Sequence, residues 1–254
     1  MQINQMGHDF HHEPDFKIER PTGSGDYLLL IIRTEAWMAM EGKELILAPG
    51  TVILYREGTP QYYGANHQPY ANDWCHLTLS DEEVAWLVEM GIPMDQPIHM
   101  KDTLELSLAM NQLSYDFYTK QPHYLAILDH GIKLFFYRWA NRLEESNHRP
   151  VGSHYQELLL LRSLIFNQPY TKWTIEEMAR GIGMSRSSLG HLYQQTFGVS
   201  PMDDVISSRL NHAKFLIDST QMPIKKIAEI CGYESDIHFM RQFKSKVGMT
   251  PTAY

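Results

Sequence analysis

The chain has 254 residues, 43% of them hydrophobic and 11% aromatic, which is too much apolar material for wholesale disorder and enough for one large domain or two ordinary ones. A formal net charge of -8 excludes a uniformly basic nucleic-acid binder, and the two distant cysteines, Cys75 and Cys231, fit neither a disulfide framework nor a CxxC metal site. No apolar run reaches the roughly 18 residues of a membrane span, so a cytoplasmic protein is expected, with no membrane partner.

The charge is unevenly divided. Residues 153–254 hold 11 Lys/Arg against 9 Asp/Glu, a net of +2; the chain totals of 22 and 30 then leave 11 against 21, or -10, for residues 1–152. Two domains with different partners are expected.

In chain order, MQINQMGHDFHHEPDF lacks a basic region followed by an apolar core, so no secretory leader is expected. Residues 1–20 read as a flexible arm, in which His11-His12-Glu13 is a chance cluster rather than a metal site. From Tyr27 to about Leu79 come short apolar runs (YLLLIIR, ELILAPG, TVILYREG, HLTLS) separated by turn signals such as GSGD, APG and EGTP. That spacing predicts antiparallel strands of a sandwich or barrel. Residues 103–120 and 124–146 then carry helical periodicity; in the second, Leu125, Leu128, Ile132, Phe135 and Trp139 form one stripe with Phe136 beside it. NHRPVGS (147–153) reads as a linker, and everything from 154 to 254 as helix.

The tail contains a near repeat. SRSSLGHLYQQTFGVSP (185–201) and SDIHFMRQFKSKVGMTP (235–251) align with a shift of fifty. Leu189, Tyr193 and Phe197 match Phe239, Phe243 and Val247, one buried helical face. Gly198 and Gly248 supply left-handed stops, Pro201 and Pro251 the next starts, and Ser185 and Ser235 the N-caps. Upstream, TIEEMARGIGMS (174–185) matches PIKKIAEICGYES (223–235), with a Thr174/Glu177 capping-box pattern, Pro223 at the first helical position, and turn glycines Gly183 and Gly232. Each unit is a short helix, a tight turn and a second helix, the helix-turn-helix arrangement. The apolar stripe Val205, Ile206, Leu210, Ala213 and Ile217 is expected to join the two units rigidly. Double-stranded DNA is the partner this implies.

The solvent faces of the second helices supply the candidate DNA contacts. The first unit offers Arg186, Ser187, Ser188, His191, Gln194 and Gln195; the second offers Asp236, His238, Arg241, Gln242, Lys244 and Lys246. Arg pairs with guanine, Gln with adenine, and an acid with the cytosine amino group, whereas Lys suits phosphate.

SSLGHLYQQTFGVSP, RLNHAKFLIDSTQMPIKKIAEICGY and SDIHFMRQFKSKVGMTPTAY resemble the AraC/XylS family of bacterial transcription regulators over about a hundred residues. Gly190 and Met240 depart from it, standing where many members carry Ser. The resemblance implies a sequence-specific DNA-binding regulator that meets RNA polymerase at promoters, not an enzyme. The front half, through RPTGSGDYLLLIIR, MEGKELILAPGTVILYREGTPQYYG and NDWCHLTLS, resembles the cupin-like sensor of the sugar-responsive members. The implied fold is a multidomain α and β protein: a cupin-like β-barrel with its arm (1–102), a helical dimerisation segment (103–146), a linker (147–153) and an all-α double helix-turn-helix domain (154–254).

By the same likeness, Arg20, Tyr63 and His76 fall on sugar-contacting positions, and Thr78 stands where those sensors stack a Trp. Trp37 and Trp74 are read as pocket walls. A small-molecule effector, a sugar or related carbohydrate, and a homodimer are the implied partners, with no cofactor. Two other readings stay open: a ligand-independent dimeric regulator, and a cupin enzyme with an accessory tail. The second would need several His and a carboxylate on one metal, yet RTEAWMAM lacks the H-x-H pair of such enzymes and Gln61 occupies a common ligand position.

Overall fold

The computed structural model describes residues 1–40, 42–148 and 154–254, the side chains of 145–148 excepted. The chain divides into two units, Met1–Arg149 and Pro150–Tyr254. Of the expected linker, residues 149–153 lie outside the described residues, while Asn147 and His148 end a helix.

Among the described residues the first unit forms strands β1 (Gln2–His12), β2 (Lys17–Arg20), β3 (Tyr27–Ile32), β4 (Ala36–Met40), β5 (Lys43–Leu47), β6 (Thr51–Tyr55), β7 (Gln61–Ala65), β8 (Tyr70–Thr78) and β9 (Ile98–His99). Its helices are α1 (Asp81–Glu89), α2 (Leu104–Thr119) and α3 (Tyr124–His148). The strands form two sheets, ordered β1-β8-β3-β6-β9 and β2-β7-β4-β5, not one closed barrel. Between the sheets lie Leu28, Leu30, Ile32, Ala36, Met38, Ile53, Tyr55, Tyr63 and Tyr70. The other face of the larger sheet, with Leu29, Ile31, Val52, Leu54, Cys75 and Leu77, packs on the helices. Because β3 is covered on both faces, it reads YLLLII without polar alternation.

Residues 1–20 are two paired strands rather than a loose arm. β1 runs antiparallel to β8 from Gln2 opposite Thr78 to His12 opposite Tyr70, with shifts of register at Ile3/Gln5 and Gly7/Phe10. At the second bulge Asp9 takes a φ of +49°, and its N–H donates to the buried Asp73 carboxylate at 2.7 Å. Arg33 pairs with both Asp73 (3.1 Å) and Asp9 (3.1 Å). The Ser107 hydroxyl of α2 donates to Asp73 at 2.7 Å. This knot ties β1 to α2.

On α3, Leu128, Ile132, Phe135, Phe136 and Trp139 are buried under the sheet, as the stripe predicts, but Leu125 is 67% exposed and does not join them. That stripe is therefore committed to its own sheet. An open apolar face lies on α2, where Leu104, Leu108 and Tyr115, one and then two turns apart, are exposed.

The second unit is helical: α4 (Tyr155–Asn167), α5 (Ile175–Gly181), α6 (Arg186–Phe197), α7 (Pro201–Ser219), α8 (Ile224–Ile230) and α9 (Asp236–Val247). Both repeats form as helix, turn and helix. Gly198 and Gly248 adopt φ of +74° and +92° and close α6 and α9, so each stop needs the left-handed backbone that glycine adopts without strain. The Thr174 box is half made: its hydroxyl caps Glu177 N–H at 3.2 Å and donates to the Glu177 carboxylate at 3.0 Å, which turns that side chain from the backbone. Pro223 is the N-cap of α8, one place earlier than predicted. A complete capping box stands instead at Ser80 and Glu83 of α1.

Candidate nucleic-acid interface and effector pocket

Each recognition helix is positioned by its inner face. In the first unit, Leu189 and Tyr193 of α6 are buried with Leu158, Leu161 and Ile165 of α4, Met178 and Ala179 of α5, and Val205 of α7. In the second, Phe239 and Phe243 of α9 are buried with Ile227 and Ala228 of α8 and with Leu210, Ala213 and Leu216 of α7. α7 thus contributes to both cores, as its stripe predicts.

Polar bonds reinforce the joint. The buried Asp204 of α7 accepts the Tyr193 hydroxyl at 2.7 Å and Arg162 Nε of α4 at 2.8 Å. Burial and the neighbouring Asp204 push the Tyr193 hydroxyl pKa up, so it stays a donor. Arg209 of α7 donates to the carbonyls of Pro169 (3.1 Å) and Thr171 (3.0 Å) and stands 5.4 Å from the centre of the Tyr233 ring. Burial raises the Tyr233 phenol to about 12.

The outward faces carry the twelve residues singled out in the sequence, but not equally free. On α6, Arg186 pairs with Glu176 at 2.6 Å, Ser187 and Ser188 share the capping Ser185 hydroxyl, and Gln194 Nε2 donates to the Gly198 carbonyl at 2.7 Å. His191 and Gln195 are exposed with no side-chain hydrogen bond or ion pair among the described residues. On α9, Asp236 accepts its neighbour Ile237 N–H at 2.9 Å, Gln242 Oε1 accepts the Tyr233 hydroxyl at 2.7 Å, and Lys246 pairs with Asp203 of α7 at 3.3 Å. The His238 ring stands edge-on to Tyr233 at 5.8 Å. Arg241 and Lys244 are exposed without such a bond among the described residues. Periodicity identified the face; which side chains the protein itself engages depends on rotamers and turns that periodicity does not encode.

In the first unit, β8 alternates strictly, so Asn72, Trp74, His76 and Thr78 share the face turned toward the smaller sheet. Near the end of β8 lies a cavity of about 490 Å³ lined by Asn4, Gln5, Arg20, Gly23, Ser24, Asp26 and His76. His76 Nδ1 meets Asp26 Oδ1 at 2.6 Å, and Asn4 Nδ2 donates to Asp26 Oδ2 at 3.1 Å and to Thr78 Oγ1 at 3.0 Å. Arg20 donates to Gln61 Oε1 at 3.1 Å, while Gln61 Nε2 donates to Ser24 Oγ at 3.1 Å.

Arg20 and His76 therefore come together, with exposed Thr78 joined to them through Asn4. Tyr63 lies deeper between the sheets, stacked 6.3 Å from Tyr55; burial raises its phenol to about 12, against the pull of the Arg20 charge. Trp74 stands edge-on to His76 at 5.7 Å, and β1 can cross its indole because position 7 is glycine: a Cβ there would lie 2.5 Å from Nε1. Trp37 does not line this cavity. Its neighbours Ala36 and Met38 face the inner core, so the indole is on the outer side of its sheet, with Lys17 Nζ 5.5 Å from its centre. Asn4, Ser24, Asp26 and Gln61 were not singled out as pocket residues in the sequence; the one available signal was Asp26 in the polar turn just before the apolar run of β3.

His11 and His12 are part of β1, and His12 stacks on Phe16 at 3.7 Å. Among the described residues no group of three or more His, Cys, Asp or Glu side chains is assembled as a metal site. No described helix is long and apolar enough to cross a membrane.

Two helix-turn-helix units on one rigid connecting helix, behind a double-sheet domain with a polar pocket, define the class: a DNA-binding tail on a β-rich front. Residues 178–254 match the family described as a helix-turn-helix domain. The chain is 26% identical over 255 residues to the arabinose operon regulatory protein of Escherichia coli (strain K12), across 94% of this chain and 84% of that one. It is 25% identical to the protein of the same name from Salmonella typhimurium, across 94% and 87%. Among solved structures it is similar to the C-terminal domain of AraT, a response regulator from Geobacillus stearothermophilus, at 28% identity and a TM-score of 0.37, covering 39% of this chain and 82% of that one. The family match and the two regulators support an AraC-type DNA-binding transcription regulator.

Proposed function

We propose that this regulator is switched by a small polyhydroxylated molecule, a sugar or related carbohydrate, held in the front unit as in a cupin-like sensor. The observation that carries the reading is the pocket at the end of β8. Its Arg20, Asn4, Ser24, Asp26 and His76 present donors and acceptors around about 490 Å³, and hydroxyl groups recognise such sets. Trp74 beside His76 supplies an aromatic surface. Similarity to two arabinose operon regulators adds support.

Signal transfer has a physical route. Asn4 and Gln5 of β1 line the pocket, and β1 is fastened to α2 through Ser107 and through the Tyr118 hydroxyl, which donates to the Met6 carbonyl at 2.7 Å. The exposed Leu104, Leu108 and Tyr115 of α2 are the surface by which two copies would pair. An effector that binds the two states of β1 unequally then changes how a dimer presents its two tails. The protein works in the cytoplasm without catalysing a reaction, with operator DNA, the effector, a second copy and RNA polymerase as partners.

The test is a gel shift and footprint with promoter fragments in the presence of individual sugars, beside Arg20→Ala. A sugar that changes the wild-type footprint and not that of the variant supports the reading. If every sugar that binds leaves affinity and footprint unchanged, the protein is a ligand-independent dimeric regulator instead.

A further inference from the structure

The outer face of α9 is not wholly polar. Ile237 is 55% exposed, and Met240 beside it is 38% exposed. Ile237 lies one turn before Arg241 on the same stripe, opposite the buried Phe239 and Phe243. Around it, Asp236 is bonded to the Ile237 N–H, Gln242 to the Tyr233 hydroxyl, and Lys246 to Asp203. Ile237, Arg241 and Lys244 are thus the side chains most available on the outward surface. In the first unit the matching positions are Ser187, His191 and Gln194, and Gly190 matches Met240.

A single exposed isoleucine is ordinary on a protein surface. Here it occupies the first turn of the second helix of a helix-turn-helix, the part that meets base edges, flanked by cations that suit DNA. In the major groove one base feature is apolar, the 5-methyl group of thymine. Resting on the reading of the tail as a DNA-binding domain, we infer that Ile237, with Met240 at its side, reads a thymine methyl in the second half-site, next to the base contacted by Arg241. Ser187 gives the first unit no equivalent, so the two half-sites differ in this requirement.

The experiment starts from duplexes selected out of a random pool by the full chain. Each thymine of the second half-site is replaced in turn by uracil, which removes the methyl and keeps every hydrogen-bonding group. One replacement should weaken wild-type binding about fourfold, the equivalent of ~0.8 kcal/mol for one methyl withdrawn from water. Ile237→Ser should bind the thymine duplex as the wild type binds the uracil one, and should not distinguish the two. Circular dichroism of the variant should match the wild type, since the side chain is exposed. Wild-type indifference to every uracil, or discrimination retained by Ile237→Ser, overturns the assignment and leaves a protein partner for this patch. Failure of the full chain to select any duplex would instead overturn the DNA-binding reading beneath it.

Discussion

Burial disfavours ionisation of the Asp26 carboxyl, yet hydrogen bonds from His76, Asn4 and Ser24 outweigh it and hold the group below its ordinary range. A carboxylate with a lowered native pKa contributes stability above the unfolded value of about 3.9 and loses it as pH falls through the native one. The wild-type front unit should therefore lose stability below about pH 4 more steeply than Asp26→Asn. Thermal unfolding between pH 7 and pH 3 measures this, and equal slopes for the two proteins would contradict it. Nothing in the GSGD run announces that role, because the partners are 22 residues away at Asn4 and 50 away at His76. Similar distance hid Gln61, whose two bonds to Arg20 and Ser24 span 41 and 37 residues. The outward residues of α6 and α9 were more legible: a helix displays its outer face at fixed spacing, whatever lies elsewhere in the chain.

At the scale of elements, local signals located the helices better than the strands. The caps at Ser185, Ser235 and Ser200 and the glycine stops act within four residues, so the sequence contains the whole interaction. β1 could not be read that way. Its alternation is interrupted by two bulges, and its polar residues are held by β8, some 65 positions later. β4 and β7 are short and rich in small or sulfur-bearing residues, so they lack the β-branched runs that mark β6. On α3 the stripe gave burial from Leu128 onward but not at Leu125, and a stripe does not say against what; the sheet takes it, and α2 keeps an open apolar face. If that face joins two copies, Leu108→Glu should turn a dimer into a monomer in sedimentation, since a charge in such an interface stays unpaired. An unchanged mass would move the contact elsewhere.

For the whole molecule, the division of charge, -10 in residues 1–152 and +2 in residues 153–254, changes sign close to where the chain divides into two compact units. The duplicated motif then gives the second unit its asymmetry. α7 supplies Val205 to one core and Leu210, Ala213 and Leu216 to the other, and Asp204 and Arg209 fasten it to α4, α6 and the segment after α4. Neither recognition helix can turn without disturbing that helix, so one tail should read two fixed stretches of major groove, with different side chains on each.

The most direct measurement is the sequence preference of the wild type, His191→Ala and Arg241→Ala, each determined by selection from random duplex DNA. Each substitution should relax the preference at its own positions, the two sets lying about 10 base pairs apart, with a cost near 1–3 kcal/mol for Arg241→Ala. Relaxation at the same positions by both substitutions, or a uniform loss of affinity across all sequences, would contradict a tail that reads DNA with two helices.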